Sequence, residues 1–115
     1  MSLRILIVDD DLGTLRILAM LLTRVGFIAE TCESGARALE LLRASPHDVL
    51  LTDYLMPGMN GAELVAIARA SWPQLRCMIM SGLRANHAAG DVEWLDKPLD
   101  VEALAATLGA AGEHD

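Results

Sequence analysis

Val49-Leu50-Leu51-Thr52-Asp53-Tyr54-Leu55-Met56-Pro57-Gly58-Met59-Asn60-Gly61 is the stretch from which the rest of the chain can be read. Its first three residues form an apolar run suited to a strand buried on both faces. Asn60, with Glu63 three residues on, is a helix-start signal that opens the pattern Leu64, Ile67, Ala68. Asp53 therefore ends a buried strand, ahead of a Pro/Gly loop. In an open parallel sheet, ligands bind at that carboxyl edge. A charge beside a core is costly unless something pairs with it. Taken alone, Asp53 reads equally well as a loop carboxylate capping an amide or as a functional acid.

Outward from this unit the same alternation repeats. Residues 4–8 give a strand stopped by Asp9-Asp10-Asp11. Residues 12–25 give a helix with Leu15, Leu18, Leu22 and Val25 on one stripe, ended by Gly26. A second strand spans 28–32, and Ser34 caps a helix through Ala36, Leu39 and Leu42 that Pro46 stops. The helix opened at Asn60 runs to about residue 70, before Trp72-Pro73. Residues 77–80 form a fourth buried strand ending at Ser81-Gly82. The stretch 83–90 is weakly patterned and allows a short helix, and 92–95 is a brief fifth strand. Asp100 starts a last helix through Val101, Leu104, Ala105 and Leu108, frayed by Gly109 and Gly112. Five strands alternating with helices imply an α/β parallel sheet with helices on both faces.

One domain is expected over 1–115, with a core over 3–108 and a polar tail over 109–115. With 53% hydrophobic residues but only 3% aromatics, that core is built from Leu, Ile, Val, Ala and Met. A net charge of −7 argues against nucleic acid or an anionic membrane as the partner of this segment. No apolar run is long enough to cross a membrane, and three aspartates after residue 8 do not suit a signal peptide. Cys32 and Cys77 both lie in apolar, strand-like runs, which favours buried free thiols and a reducing, cytoplasmic setting. His47, His87 and His114 lack ligand-like spacing and read as surface residues.

Strands of a parallel sheet point one way, so residues just past strands one, three, four and five share an edge. They are Asp9-Asp10, Asp53, Ser81 and Lys97. Clustered carboxylates raise one another's pKa until a cation arrives. Oxygen-only ligands suit Mg²⁺, which takes one or two carboxylates plus a phosphate. With the metal and Lys97 in place, Asp53 is set to attack a phosphoryl group, both cations stabilising charge on its equatorial oxygens. Ser81 would then donate a hydrogen bond to the acyl phosphate. Singly, the aspartates read as helix caps, Ser81 as a turn residue and Lys97 as a solvated charge. Those readings leave the coincidence at the correct strand ends unexplained. Pro98 fixes an X-Pro bond, cis or trans, that aims the Lys97 ammonium inward.

Ile7-Val8-Asp9-Asp10, Asp53 with Met56-Pro57 and Asn60-Gly61 after it, Ser81-Gly82 and Lys97-Pro98 fall in order. Together they resemble the receiver domain of two-component response regulators, from Leu3 to about Leu108. The resemblance implies a flavodoxin-like (βα)5 doubly wound sheet with strand order 2-1-3-4-5. It implies Asp53 as phosphoacceptor, with Asp9, Asp10, Asp53 and the backbone carbonyl of Leu55 around Mg²⁺. Ser81 would be the switch hydroxyl and Lys97 the phosphate-binding lysine. The implied donor is a sensor histidine kinase or a histidine phosphotransfer protein, acting on a monomer or weak homodimer that controls an output partner. Such a chain is a signalling phosphoacceptor that catalyses only its own phosphorylation and dephosphorylation. In that order strands two and four are not neighbours, so Cys32 and Cys77 are too far apart to bridge.

Some residues depart from the family pattern. Trp94 stands where Tyr or Phe is commoner; it is read as the switch ring, the alternative being a fixed ring over the sheet edge. Only 15 residues, 82–96, separate Ser81 from Lys97, short for the family by roughly one and a half helical turns. A shortened or irregular fourth helix and an altered output face follow. Leu99 replaces a more usual aromatic. Leu55 is apolar where some relatives place a polar group that orients the hydrolytic water, so slow autodephosphorylation is expected.

Two other readings use the same residues. A phosphorylation-independent, receiver-like interaction module keeps the fold and drops the chemistry. A haloacid-dehalogenase-like phosphatase would take Asp9 of Asp9-x-Asp11 as nucleophile, leaving Asp53 unexplained and lacking a later acidic pair. An FMN-binding flavodoxin needs a first loop that cradles phosphate, which three aspartates oppose.

Overall fold

Five strands, β1 (Arg4–Val8), β2 (Ile28–Cys32), β3 (Val49–Asp53), β4 (Arg76–Ser81) and β5 (Glu93–Asp96), pair in parallel in the order β2-β1-β3-β4-β5. The computed structural model describes residues 2–82 and 92–109. Its helices are α1 (Leu12–Arg24), α2 (Gly35–Ala44), α3 (Gly61–Ser71) and α4 (Val101–Leu108). The period of two along each strand sorts the core into two layers. Ile5, Ile7, Val49, Leu51, Met78 and Met80 pack with α1 and α4. Leu6, Val8, Leu50, Cys77 and Ile79 pack with α2 and α3. Both faces are covered, so β3 is buried along its whole length, and its sequence is apolar from Val49 to Leu51 before Thr52 and Asp53 end it.

Local chemistry starts each helix. Asp11 caps α1, accepting from the Gly13 amide at 3.1 Å and the Thr14 hydroxyl at 2.8 Å. Those bonds, Thr14's first, hold its carboxyl below the usual range. Ser34 caps α2 and Asp100 caps α4. Asn60 and Glu63 close a reciprocal capping box on α3, both bonds at 2.9 Å. Glycine with positive φ follows α1 at Gly26 and caps α4 at Gly109, which donates to the Ala105 carbonyl.

Several ends differ from the sequence-based limits. Val25 is the C-cap of α1 and Asn60 the N-cap of α3, while β4 gains a residue at each end and β5 is displaced by one. Polar residues at strand ends still join the ladder: Arg76 donates to the Asp48 carbonyl, and Ser81 pairs with Asp96. The expected short helix over 83–90, His87, His114 and residues 110–115 lie outside the described residues.

His47 corrects the sequence reading. Its side chain is only 1% exposed, with Nε2 2.7 Å from Glu30 Oε1 and Nδ1 3.1 Å from the Ser45 carbonyl. It knits β2 to the α2–β3 loop. Cys32 and Cys77 are buried free thiols on strands separated by β1 and β3, as expected, and burial pushes both up to about 11.

Candidate functional site

The strand order places a reversal between β1 and β3, and the crevice outside their carboxyl ends is where such sheets bind ligands. Val8 pairs with Thr52, so the next residues, Asp9 and Asp53, stand abreast. One carboxylate oxygen each from Asp9, Asp10 and Asp53 lies within 4.8 Å of the others. Asp9 and Asp53 are buried and Asp10 is exposed. Asp11, the helix cap, is outside the group, so the acid run divides between holding α1 and furnishing the site.

Lys97, just past β5, reaches across β4 to place Nζ 2.7 Å from Asp53 Oδ1. That crossing covers roughly 10 Å of sheet, which calls for a long side chain. The Lys97-Pro98 bond is cis. The Lys97 amide donates to the Ser81 carbonyl at 3.0 Å, and Ser81 itself is buried at the end of β4. Thus β1, β3, β4 and β5 bring Asp9, Asp10, Asp53, Ser81 and Lys97 to one edge.

Asp9 carries the electrostatic signature of the site. Its Oδ1 accepts from the Asp11 amide at 3.0 Å, while Oδ2 is buried without a hydrogen-bond partner. Burial first, then the Asp53 and Asp10 charges, push its carboxyl above the usual range; the Asp11 amide and Lys97 only offset this. A buried, orphaned carboxylate oxygen beside two more carboxylates suits a hard divalent cation. The donor set fits Mg²⁺.

Trp94 lies outside this carboxylate group. It pairs with Ile79 across β4–β5, half-buried, its ring centroid 5.4 Å from that of Tyr54 and tilted by 57°. The Leu55 side chain is 60% exposed and puts no polar group beside Asp53.

Residues 5–108 match the family model described as the response regulator receiver domain. The chain belongs to that family. NtrC, a DNA-binding transcriptional regulator of Escherichia coli K12, is 34% identical over 114 residues, covering 94% of this receiver and 24% of that protein. The receiver thus spans about a quarter of the length of the NtrC relatives it matches. The receiver protein CpdR of Brucella abortus is 35% identical over 107 residues, 88% of this chain and 89% of that one. Among solved structures, the Vibrio cholerae chemotaxis protein CheY4 superposes with a TM-score of 0.84 at 26% identity, covering 96% and 99% of the two chains.

Three residues of this receiver escaped the sequence reading. Gly61 packs so closely that an added Cβ would stand 2.3 Å from the Asp53 carbonyl oxygen. Thr52, fully buried, donates its hydroxyl to the same oxygen at 3.0 Å. Tyr54 covers Trp94. A hydroxyl inside an otherwise apolar strand was the available signal for Thr52. The contacts of Gly61 and Tyr54 arise only when the loop folds back.

Proposed function

We propose that Asp53 accepts a phosphoryl group from a histidine kinase or histidine phosphotransfer protein, in a Mg²⁺-dependent reaction on a receiver core over 3–108. The observation that carries this reading is the buried Asp9 oxygen without a partner, set among three carboxylates that Lys97 alone does not neutralise. Asp9, Asp10, Asp53 and the Leu55 carbonyl would hold the metal. When bound, Mg²⁺ offsets the clustered charge and stabilises the transferring phosphoryl oxygens.

The chain's own groups do the rest. A carboxylate oxygen of Asp53 forms the new bond to phosphorus as the bond to the donor's imidazole nitrogen breaks, and the imidazole leaves and takes up a proton. Lys97, already on Asp53 Oδ1, follows the charge onto the phosphoryl oxygens. Ser81 donates to the product, and Trp94 relays that change along β5 to an output partner. The donor has an apolar landing surface beside the site: a groove of about 500 Å³ between α1 and the 97–99 loop, lined by Ile17, Leu21, Leu99 and Val101. Ile17 and Met20 on α1 are more than half exposed. Among the described residues no helix is long and apolar enough to cross a membrane.

Acetyl phosphate, which needs no donor protein, tests the reading. With Mg²⁺ the intact mass rises by one phosphoryl group, and with EDTA, or in Asp53→Asn, it does not. Emission of Trp94, followed in a Trp72→Phe background, changes together with the mass. A mass gain without an emission change would limit the reading to phosphorylation without relay. Leu55 supplies no group to orient water, so the phosphoprotein outlives a half-life of seconds after acetyl phosphate is removed; decay within seconds would contradict this.

A further inference from the structure

The peptide unit joining Asp53 to Tyr54 is held at both ends. Its N–H donates to the Met80 carbonyl at 2.9 Å, and its carbonyl accepts the Thr52 hydroxyl at 3.0 Å. Gly61 presses on the same carbonyl from the helix side, and its amide donates to the Tyr54 carbonyl at 2.8 Å. Thr52 is fully buried, and among the described residues the other acceptor near its hydroxyl is the Met56 sulfur at 4.0 Å, a weak one. The carbonyl therefore takes the proton.

We infer that Thr52 is a positioning residue for phosphorylation: its hydroxyl fixes the plane of the peptide that follows the phosphoacceptor. The rotation of that plane sets two things at once. It aims the Asp53 side chain at the crevice, and it starts the turn that delivers the Leu55 carbonyl. The inference rests on the phosphoacceptor reading above. The neighbouring strand β4 still holds the N–H of this peptide, but its carbonyl lies at the sheet's end, where the Thr52 side chain supplies the donor. A small error in aim at a reacting oxygen lowers rate far more than stability, because attack requires a near-in-line approach.

Thr52→Val keeps the branched shape and removes the hydroxyl, whereas Thr52→Ser keeps the hydroxyl and loses a methyl. Each full-length protein is given acetyl phosphate at saturating Mg²⁺, and initial rate, half-saturating acetyl phosphate, Mg²⁺ dissociation constant and melting temperature are measured. Thr52→Val is expected to react about tenfold more slowly at saturation. Its half-saturating acetyl phosphate stays near the wild-type value and its Mg²⁺ affinity weakens. Thr52→Ser recovers most of the rate despite its missing methyl. A Val variant as fast as wild type, or Val and Ser variants slowed in parallel with their melting temperatures, would overturn the inference while leaving the phosphoacceptor reading intact. A wild type that gains no phosphoryl group removes both.

Discussion

Gly61→Ala lowers the stability of this receiver by about 3 kcal/mol, or roughly 10–15 °C in melting temperature. The sign is not obvious from helix propensity, since alanine is favoured over glycine in a helix by up to about 1 kcal/mol. Packing overrides it. The new methyl would stand 2.3 Å from the Asp53 carbonyl oxygen and 3.0 Å from Tyr54 Cα, and both are backbone atoms that no rotamer change can move aside. Relief requires the first turn of α3 to draw back, straining the Gly61–Tyr54 hydrogen bond and the Asn60–Glu63 capping box. Slower phosphorylation accompanies the loss, because a retreating α3 no longer braces the backbone that follows Asp53. Thermal unfolding checks it; an alanine variant as stable as wild type would show that the loop yields freely.

Asp9→Asn works in the opposite direction. In EDTA near neutral pH the variant is more stable than wild type by about 1–2 kcal/mol. An asparagine keeps the Oδ1 acceptor for the Asp11 amide, removes a buried charge, and offers an N–H to the neighbouring carboxylates. The pH dependence follows from the raised pKa of Asp9. A group whose folded pKa lies above its unfolded value stabilises the fold while protonated. This contribution is complete below the unfolded value of 3.8 and is lost as pH rises through the folded pKa. Metal-free wild type therefore loses part of its stability between acid and neutral pH, and Asp9→Asn loses less. Adding Mg²⁺ reverses the ranking, since the ion stabilises wild type by mass action and finds a weakened site in the variant. An Asp9→Asn protein less stable than wild type in EDTA would contradict the picture.

Much of this was legible in the chain because parallel-sheet geometry turns order into proximity. Once β1 and β3 are read as buried strands, the acids ending them must share an edge, and Lys97 and Ser81 join them for the same reason. The caps at Ser34, Asn60 and Asp100 are local signals, and each holds in the structure. Contacts made by loops folding back were not legible. Nothing in the spacing of Gly61 shows that a carbonyl lies against it. His47 was misread for the same reason: its partners, Glu30 and the Ser45 carbonyl, meet it only once β2 and the α2–β3 loop have come together. The strand limits missed by one residue because backbone pairing continues through polar residues where the apolar pattern stops.

Which carboxylate becomes phosphorylated is the most direct test. After acetyl phosphate and Mg²⁺, borohydride reduction converts an aspartyl phosphate to homoserine, and peptide mass mapping locates it. Homoserine at position 53 alone is the result this site geometry requires. Homoserine at position 9, or at neither position in a folded, Mg²⁺-saturated protein, would contradict it.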